Sequence, residues 1–508
     1  MTTCNHSEFP MRPNFLVIIV DQMNSFCLGW NGNDEVRTPN LDRLAADGVN
    51  FSRAYPTNPV CSPTRASLHT GLTPRQHGLT TNGCNLDENI PTITGLLAEH
   101  GYRTHCAGKI HLQPFNTEAR DKDGQPASWE SQELWNGHDI TELPLPYYGY
   151  QSVDYVGGHV DYVFGDYVND VEAKRAGTKA ELSREKAYHS AGPQTWRMPV
   201  PSEWHYNDWI TECSIEFLRR QGDRPFFLVT SFPDPHAPFC AARPYSEMYD
   251  PESVSLPGNW DCSEDPCGYL ERFDRPTHRG WDEDILREAI AQTYGMITHI
   301  DDCVGRLRAA LTELGLAEDT IVVFLSDHGE YLGSHNLLLK GPWPYEPVVR
   351  VPLIWHTPQE RKGTRVPQPV SHLDFVPTVL DYAGLGQEAF DLRGGHRSRR
   401  DILPGESLRP VIEDGARPQQ EGKLIEYDED GISTEMCRYR MLITERWKVC
   451  VYGGFGDGVL YDLENDPLEM RNLWDDPAHV SVKADMLARL SDRLALTDRM
   501  DTYRHCLA

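Results

Sequence analysis

Three short runs of the chain are dominated by β-branched, aliphatic and aromatic residues: Asn14–Val20 (NFLVIIV), Pro225–Ser231 (PFFLVTS) and Thr320–Ser326 (TIVVFLS). A strand with one wet face alternates apolar and polar residues. These runs do not, so each is expected to be buried on both faces, as in a parallel sheet covered by helices. Between them, Asn40–Asp47, with Asn40 as N-cap and Gly48 as C-cap, Thr94–His100 closed by Gly101, and the long stretch Trp281–Leu314 read as helices. Strands alternating with helices predict an α/β fold with a mostly parallel central sheet between helices. Ligands in such folds gather beyond the carboxyl ends of the strands. Asp21-Gln22 stands at such an end, and Asp327-His328 follows the third run.

Residues from about 112 to 205 break this rhythm; rich in Tyr, Trp, Gly and Pro, they read as an insertion, a lid or a pocket wall. Gly386–Gln420 is loop-rich and carries the basic cluster His396–Arg400, read as solvated. Beyond it, Lys423–Tyr427, Tyr439–Thr444, Trp447–Tyr452 and Val459–Leu463 read as short strands, and Ala484–Leu496 as an amphipathic helix. The Gly-rich GGFGDG at 453–458 sits in a hairpin and not at a strand-to-helix turn, which speaks against nucleotide binding. The expected division is an α/β domain over 1–410 and a smaller α+β subdomain with an antiparallel sheet over 411–508.

Charge narrows the partners. With 48 Lys+Arg against 76 Asp+Glu the net charge is −28, which disfavours nucleic acid and anionic membranes. Thirteen scattered cysteines without a C-x-x-C pair fit reduced thiols better than a disulfide framework or a zinc ribbon. The N-terminal sequence shows no basic segment leading into a long apolar one, and the run Phe15–Val20 is too short to span a bilayer. A cytoplasmic location and a small imported substrate are the expectations.

The most specific feature is Cys61-Ser62-Pro63-Thr64-Arg65-Ala66-Ser67, followed by Thr70-Gly71. It resembles the formylglycine signature, C-x-P-x-R, of the sulfatase family. The resemblance extends in order along nearly the whole chain. It runs through Asp21-Gln22, Gly108-Lys109-Ile110-His111, Pro235-His236-Ala237-Pro238, Ser326-Asp327-His328-Gly329-Glu330, Lys340 and Tyr461-Asp462-Leu463-Glu464-Asn465-Asp466-Pro467. It implies an alkaline-phosphatase-like core with a small C-terminal sheet. It also implies that Cys61 is converted by a formylglycine-generating or equivalent maturation enzyme into an aldehyde whose hydrate is the nucleophile. The metal ligands implied are Asp21, Asp327 and His328, with Gln22 as a neutral fourth and an oxygen at position 61. Arg65 would pin the hydrate, and Lys109 and Lys340 would hold the sulfuryl oxygens. His111 would take the proton that lets sulfate leave, and His236 would donate to the leaving oxygen.

A common sulfatase pattern has two aspartates first and an asparagine later. Gln22 and His328 depart from it, in a way similar to choline sulfatases, some arylsulfatases and phosphonate monoester hydrolases. A nitrogen donor favours Mn²⁺ relative to Ca²⁺, and both stay open. The expected function is hydrolysis of a sulfate monoester, in an enzyme similar to homo-oligomeric cytoplasmic members. A phosphonate monoester or phosphodiester hydrolase is the alternative on the same site; Lys109 and His111, where neutral hydroxyl donors would suit phosphonate, lean towards sulfate. A non-catalytic binding protein of the same fold is the reading from another class. Asn82 reads as a donor to substrate and His77 and His335 as structural, all three outside the main set. Asp301-Asp302 and Glu426-Tyr427-Asp428 read as solvated acidic faces.

Overall fold

The chain is described by a computed structural model over residues 12–120, 124–262, 281–358, 362–387, 403–429 and 437–498; the basic cluster at 396–400 lies outside these residues. The uninterrupted apolar runs lie side by side in a sheet made of β1 (Asn14–Val20), β2 (Val49–Phe51), β3 (Arg103–Gly108), β4 (Ser152–Gly157), β5 (Phe164–Gly165), β6 (Phe226–Phe232), β7 (Thr320–Ser326), β8 (Leu353–His356) and β9 (Thr364–Val366). Their spatial order is β9-β2-β8-β7-β1-β6-β3-β4-β5. β8 runs antiparallel to both its neighbours and β5 antiparallel to β4, while the centre is parallel.

Every residue of β1, β6 and β7 is buried. The period of two sends Leu16, Ile18 and Val20 into one apolar layer and Phe15, Val17 and Ile19 into the other. The first layer is closed by α1 (Pro39–Asp47), α3 (Tyr206–Arg219) and α4 (Glu283–Glu313), the second by α2 (Cys61–Thr70) and α5 (Phe375–Tyr382). Each Val, Leu, Ile or Phe so buried contributes about 1.5–3 kcal/mol relative to exposure. The sandwich therefore fixes where the β1, β3, β6 and β7 carboxyl ends lie.

Some details differ from the sequence reading. α1 starts at Pro39, with Thr38 in the cap position, because proline's missing N–H and fixed φ suit the first helical place. Asn40 is inside the helix, and its backbone and side-chain N–H groups donate to Asp301 of α4 at 3.1 and 2.9 Å. Asp301 is therefore a buried tie between helices and not a solvated charge. Glu426 is likewise buried and pairs with Arg75 at 2.7 Å. The helix expected over 94–100 spans Ile93–Glu99, and Thr92 caps it by accepting from the Gly95 N–H at 3.1 Å. Part of 112–205 belongs to the central sheet, since β4 pairs with β3 in parallel register from His105–Ser152 to Gly108–Tyr155.

The C-terminal sheet is antiparallel in sequence order: β10 (Lys423–Glu429), β11 (Cys437–Ile443), β12 (Trp447–Tyr452) and β13 (Gly458–Asp462). Leu424, Leu442, Val449 and Leu460 pack on Met486 and Leu490 of α6 (Val480–Leu496). The opposite face packs on Tyr55, Trp343, Tyr345 and Val348 of the larger sheet's side. No helix among the described residues is long and apolar enough to cross a membrane.

Gly108 closes β3 at φ +111°, and a Cβ there would fall 1.9 Å from the Ser231 carbonyl oxygen of β6. Gly108→Ala is expected to destabilise the fold by about 2 kcal/mol or more, from left-handed strain plus displacement of β6. Thermal unfolding of the two proteins side by side measures it; an unchanged midpoint would disprove the crowding.

Candidate active site

The strands β7, β1, β6 and β3 are neighbours in that order, and each offers an oxygen at or near its carboxyl end. These are Asp327 after β7, Asp21 after β1, Ser231 within β6 and the Lys109 carbonyl after β3. α2 lies across them. Its first residue is Cys61, and Arg65 stands four residues on, so the two side chains share one helical face. The buried Arg65 guanidinium donates through Nε to Asp327 Oδ2 at 2.7 Å and through NH2 to Asp21 Oδ2 at 3.4 Å. Its NH1 donates to Ser231 Oγ at 2.9 Å and to the Lys109 carbonyl at 3.0 Å.

Cys61 Sγ lies 3.1 Å from His328 Nε2, 3.5 Å from Asp21 Oδ1 and 3.2 Å from Lys340 Nζ. The site therefore meets the helix N-terminus, where partial positive charge favours an anion. Asp21, Cys61, Asp327 and His328 each bring one ligating atom within 4.8 Å of the others, all buried. His328 Nδ1 faces the Gly329 carbonyl at 2.9 Å; it must donate there, which leaves the Nε2 lone pair turned into the cluster. Two carboxylates, one imidazole so oriented and a position-61 side chain make a donor set that fits a divalent cation accepting both oxygen and nitrogen. Gln22 stands beside this cluster. At φ +65° its amide has Nε2 donating to Glu330 and Oε1 accepting from Lys340 Nζ at 2.9 Å.

Three fixed cations, Arg65, Lys109 and Lys340, face the two carboxylates. Lys109 Nζ donates to Asp21 Oδ2. Against the effect of burial, the Lys109 ammonium foremost holds the Asp21 carboxyl well below its usual range. Burial pushes Glu330 up to about 8, so it adds little negative charge at neutral pH. The pocket is thus net positive in a protein of net charge −28. Burial, reinforced by Lys109, drives His111 well below the ordinary histidine range, which makes it a neutral imidazole able to accept a proton. His236 is shifted the same way, by burial first and then by His159 and Lys340, and its Nε2 lies 2.5 Å from Lys340 Nζ.

The sulfatase family profile matches residues 13–385. The chain belongs to the sulfatase family. It is therefore an enzyme of a family that hydrolyses sulfuric ester bonds. The profile for the C-terminal part of N-sulphoglucosamine sulphohydrolase matches residues 333–495. An arylsulfatase of Clostridium perfringens is 31% identical over 500 residues, covering 91% of this chain and 90% of its own. A multifunctional alkaline phosphatase superfamily protein of Trinickia caryophylli is 28% identical over 530 residues, with 97% of each chain covered. The crystal structure of the phosphonate monoester hydrolase of Agrobacterium radiobacter superposes with a TM-score of 0.79 at 25% identity, covering 96% of each chain. The sulfatase thus has the alkaline-phosphatase-like core expected of it.

Two residues absent from the sequence reading belong to this site. His159, half-buried after Gly157-Gly158, stacks on His236 with ring centroids 3.6 Å apart and places Nε2 3.1 Å from Lys109 Nζ. Glu130, fully buried, accepts from the backbone N–H groups of His111, Leu112 and Gln113 at 2.7, 2.8 and 3.1 Å, and from the Tyr147 and Tyr155 hydroxyls at 3.0 and 3.1 Å. His111 itself is held at φ +60°, so Glu130 is what keeps that loop in an unfavourable conformation. Asn82, by contrast, accepts from the Ser62 N–H at 3.0 Å and caps α2. His77 meets Ser67 Oγ at 3.2 Å and His335 the Leu468 carbonyl at 3.1 Å, both away from the cluster. Glu130→Gln is expected to lower kcat on the order of 10- to 100-fold through misplacement of His111, with little change in KM. Kinetics on protein shown to be folded by circular dichroism checks it, and an unchanged kcat would refute the clamp.

Proposed function

We propose that this sulfatase hydrolyses a small sulfate monoester, releasing sulfate and an alcohol, through a formylglycine formed from Cys61. The observation that supports it is the placement of Cys61 at the first turn of α2, facing Asp21, His328 and Lys340 at 3.5, 3.1 and 3.2 Å. A maturation enzyme would convert the thiol to the aldehyde, whose hydrated oxygen supplies the nucleophile. A divalent cation, Ca²⁺ or Mn²⁺, would be held by Asp21, Asp327, His328 and the oxygen at position 61, and would supply polarisation and orientation of the ester when bound.

The chain's own residues do the rest. Lys109, buried, and Lys340, half-buried, hold the charged oxygens of the transferring group from fixed positions, where such charges need no reorganisation. Arg65 fixes both carboxylates and the helix that carries position 61. His111, neutral by its burial, accepts the proton whose removal lets sulfate depart. His236 donates to the leaving oxygen, and His159 keeps both His236 and Lys109 in place by stacking and by its Nε2. The half-buried His159, His236 and Lys340 face the solvent side of the pocket, so the alcohol portion of the ester leaves past them. We place the enzyme in the cytoplasm, with an ester small enough to be imported.

The phosphonate monoester hydrolase likeness gives weight to a second reading, hydrolysis of phosphonate monoesters or phosphodiesters at the same site. All three esters carry a single negative charge, but the sulfuryl group presents one more non-bridging oxygen to Lys109 and His111, which favours sulfate. Paired kinetics on an aryl sulfate and an aryl phosphonate, with metal-replete and fully converted enzyme, separate the readings. The sulfate is expected to give the higher kcat/KM; a higher value on the phosphonate would reverse the assignment.

A further inference from the structure

Away from the catalytic pocket, Asp208, His299 and Cys303 bring their ligating atoms within 4.8 Å of one another where α3 packs on α4. We propose that these three side chains form a second metal site, suited to Zn²⁺, that clamps α3 to α4.

His299 and Cys303 are four residues apart on α4 and share a face; Asp208, in the first turn of α3, stands opposite. His299 Nε2 is 3.7 Å from Asp208 Oδ1, too long for a hydrogen bond. Cys303 Sγ is 3.9 Å from the same oxygen, the limit of an S–H···O contact. A tetrahedral Zn²⁺ with bonds of about 2.0 Å to nitrogen and oxygen and about 2.3 Å to sulfur sets its ligands roughly 3.3–3.5 Å apart. Shortening each of these two separations by a few tenths of an ångström brings it into that range.

The burial argues in the same direction. His299 is 1% exposed, yet neither ring nitrogen has a hydrogen-bond partner. A buried imidazole left so is costly, and ligation through Nε2 satisfies that nitrogen. Tyr245 stacks on His299 at 4.5 Å and 11°, fixing the ring plane. His205, also fully buried, packs with its ring centroid 5.3 Å from that of His299 and has an unpartnered Nε2. Its Nδ1 accepts from the Asn207 N–H at 3.3 Å, so Nε2 carries the proton and offers a donor for a water in the fourth position.

The charges balance as well. Asp208 and Glu212 share Arg306, leaving one negative charge. Binding breaks the Cys303 S–H bond, forms an S–Zn bond and releases the proton to solvent, and the thiolate supplies the second negative charge that a dication neutralises. Arg306 keeps Glu212 as a partner when Asp208 Oδ1 turns to the ion.

The test uses the full chain carrying Cys61→Ser, so that the catalytic cysteine cannot bind metal through sulfur. Titration with Co²⁺ is expected to raise a thiolate-to-cobalt ultraviolet band, which Zn²⁺ removes by competition and which Cys303→Ser lacks. Absence of the band, or a band of equal intensity in the Cys303→Ser protein, would overturn the proposal. Should Cys303→Ser not fold, His299→Gln keeps the thiol and serves instead. Its Co²⁺ affinity is expected to fall at least about tenfold, and an unchanged affinity overturns the site.

Discussion

One guanidinium organises the carboxyl edge of the sheet. Arg65 reaches oxygens contributed by four neighbouring strands, through Asp327, Asp21, Ser231 and the Lys109 carbonyl. Burying an ion costs several kcal/mol even after relaxation, and pairing offsets this only when the hydrogen bonding is close to complete. Here every guanidinium nitrogen has a partner. The consequence is geometric: α2 must sit where Arg65 can span the strand ends, and Cys61, one turn before it, is thereby placed over Asp21, Asp327 and His328. Without Arg65, Asp327 would lose its guanidinium partner and Lys109 would be left to hold Asp21.

This arrangement also explains how a strongly acidic protein can favour an anion. The surface carboxylates are spread over the molecule and screened by salt within about 8–10 Å. Arg65, Lys109 and Lys340 are concentrated in a buried pocket whose low dielectric strengthens their field. Gln22 places a neutral amide where the common sulfatase pattern has a second aspartate, which keeps the balance positive. The same buried setting holds His111 neutral, the state in which imidazole can accept a proton.

Much of this was legible in the sequence. The three doubly buried strands were readable because nothing polar interrupts them, and Asp21 and Asp327 were readable because polar residues follow directly. The i, i+4 spacing of Cys61 and Arg65 needed only the helix that carries them. What escaped was carried by irregular backbone and distant contacts. His159 follows two glycines in a segment read as insertion, and only the β4 pairing turns it towards Lys109. Glu130 acts on backbone N–H groups, which no side-chain pattern reveals. Asp301 and Glu426 look like solvated charge until the fold supplies Asn40 and Arg75, hundreds of residues away. Gln22 follows Asp21 in the chain, yet its left-handed backbone turns the amide towards Glu330 and Lys340.

The account rests on position 61 being the reacting group once oxidised. Its most direct test is turnover of an aryl sulfate measured against the fraction of Cys61 converted, determined by mass spectrometry, in preparations made with and without a maturation enzyme. The account predicts a rate proportional to the converted fraction and vanishing with it. A rate that stays constant as conversion falls to zero would contradict it.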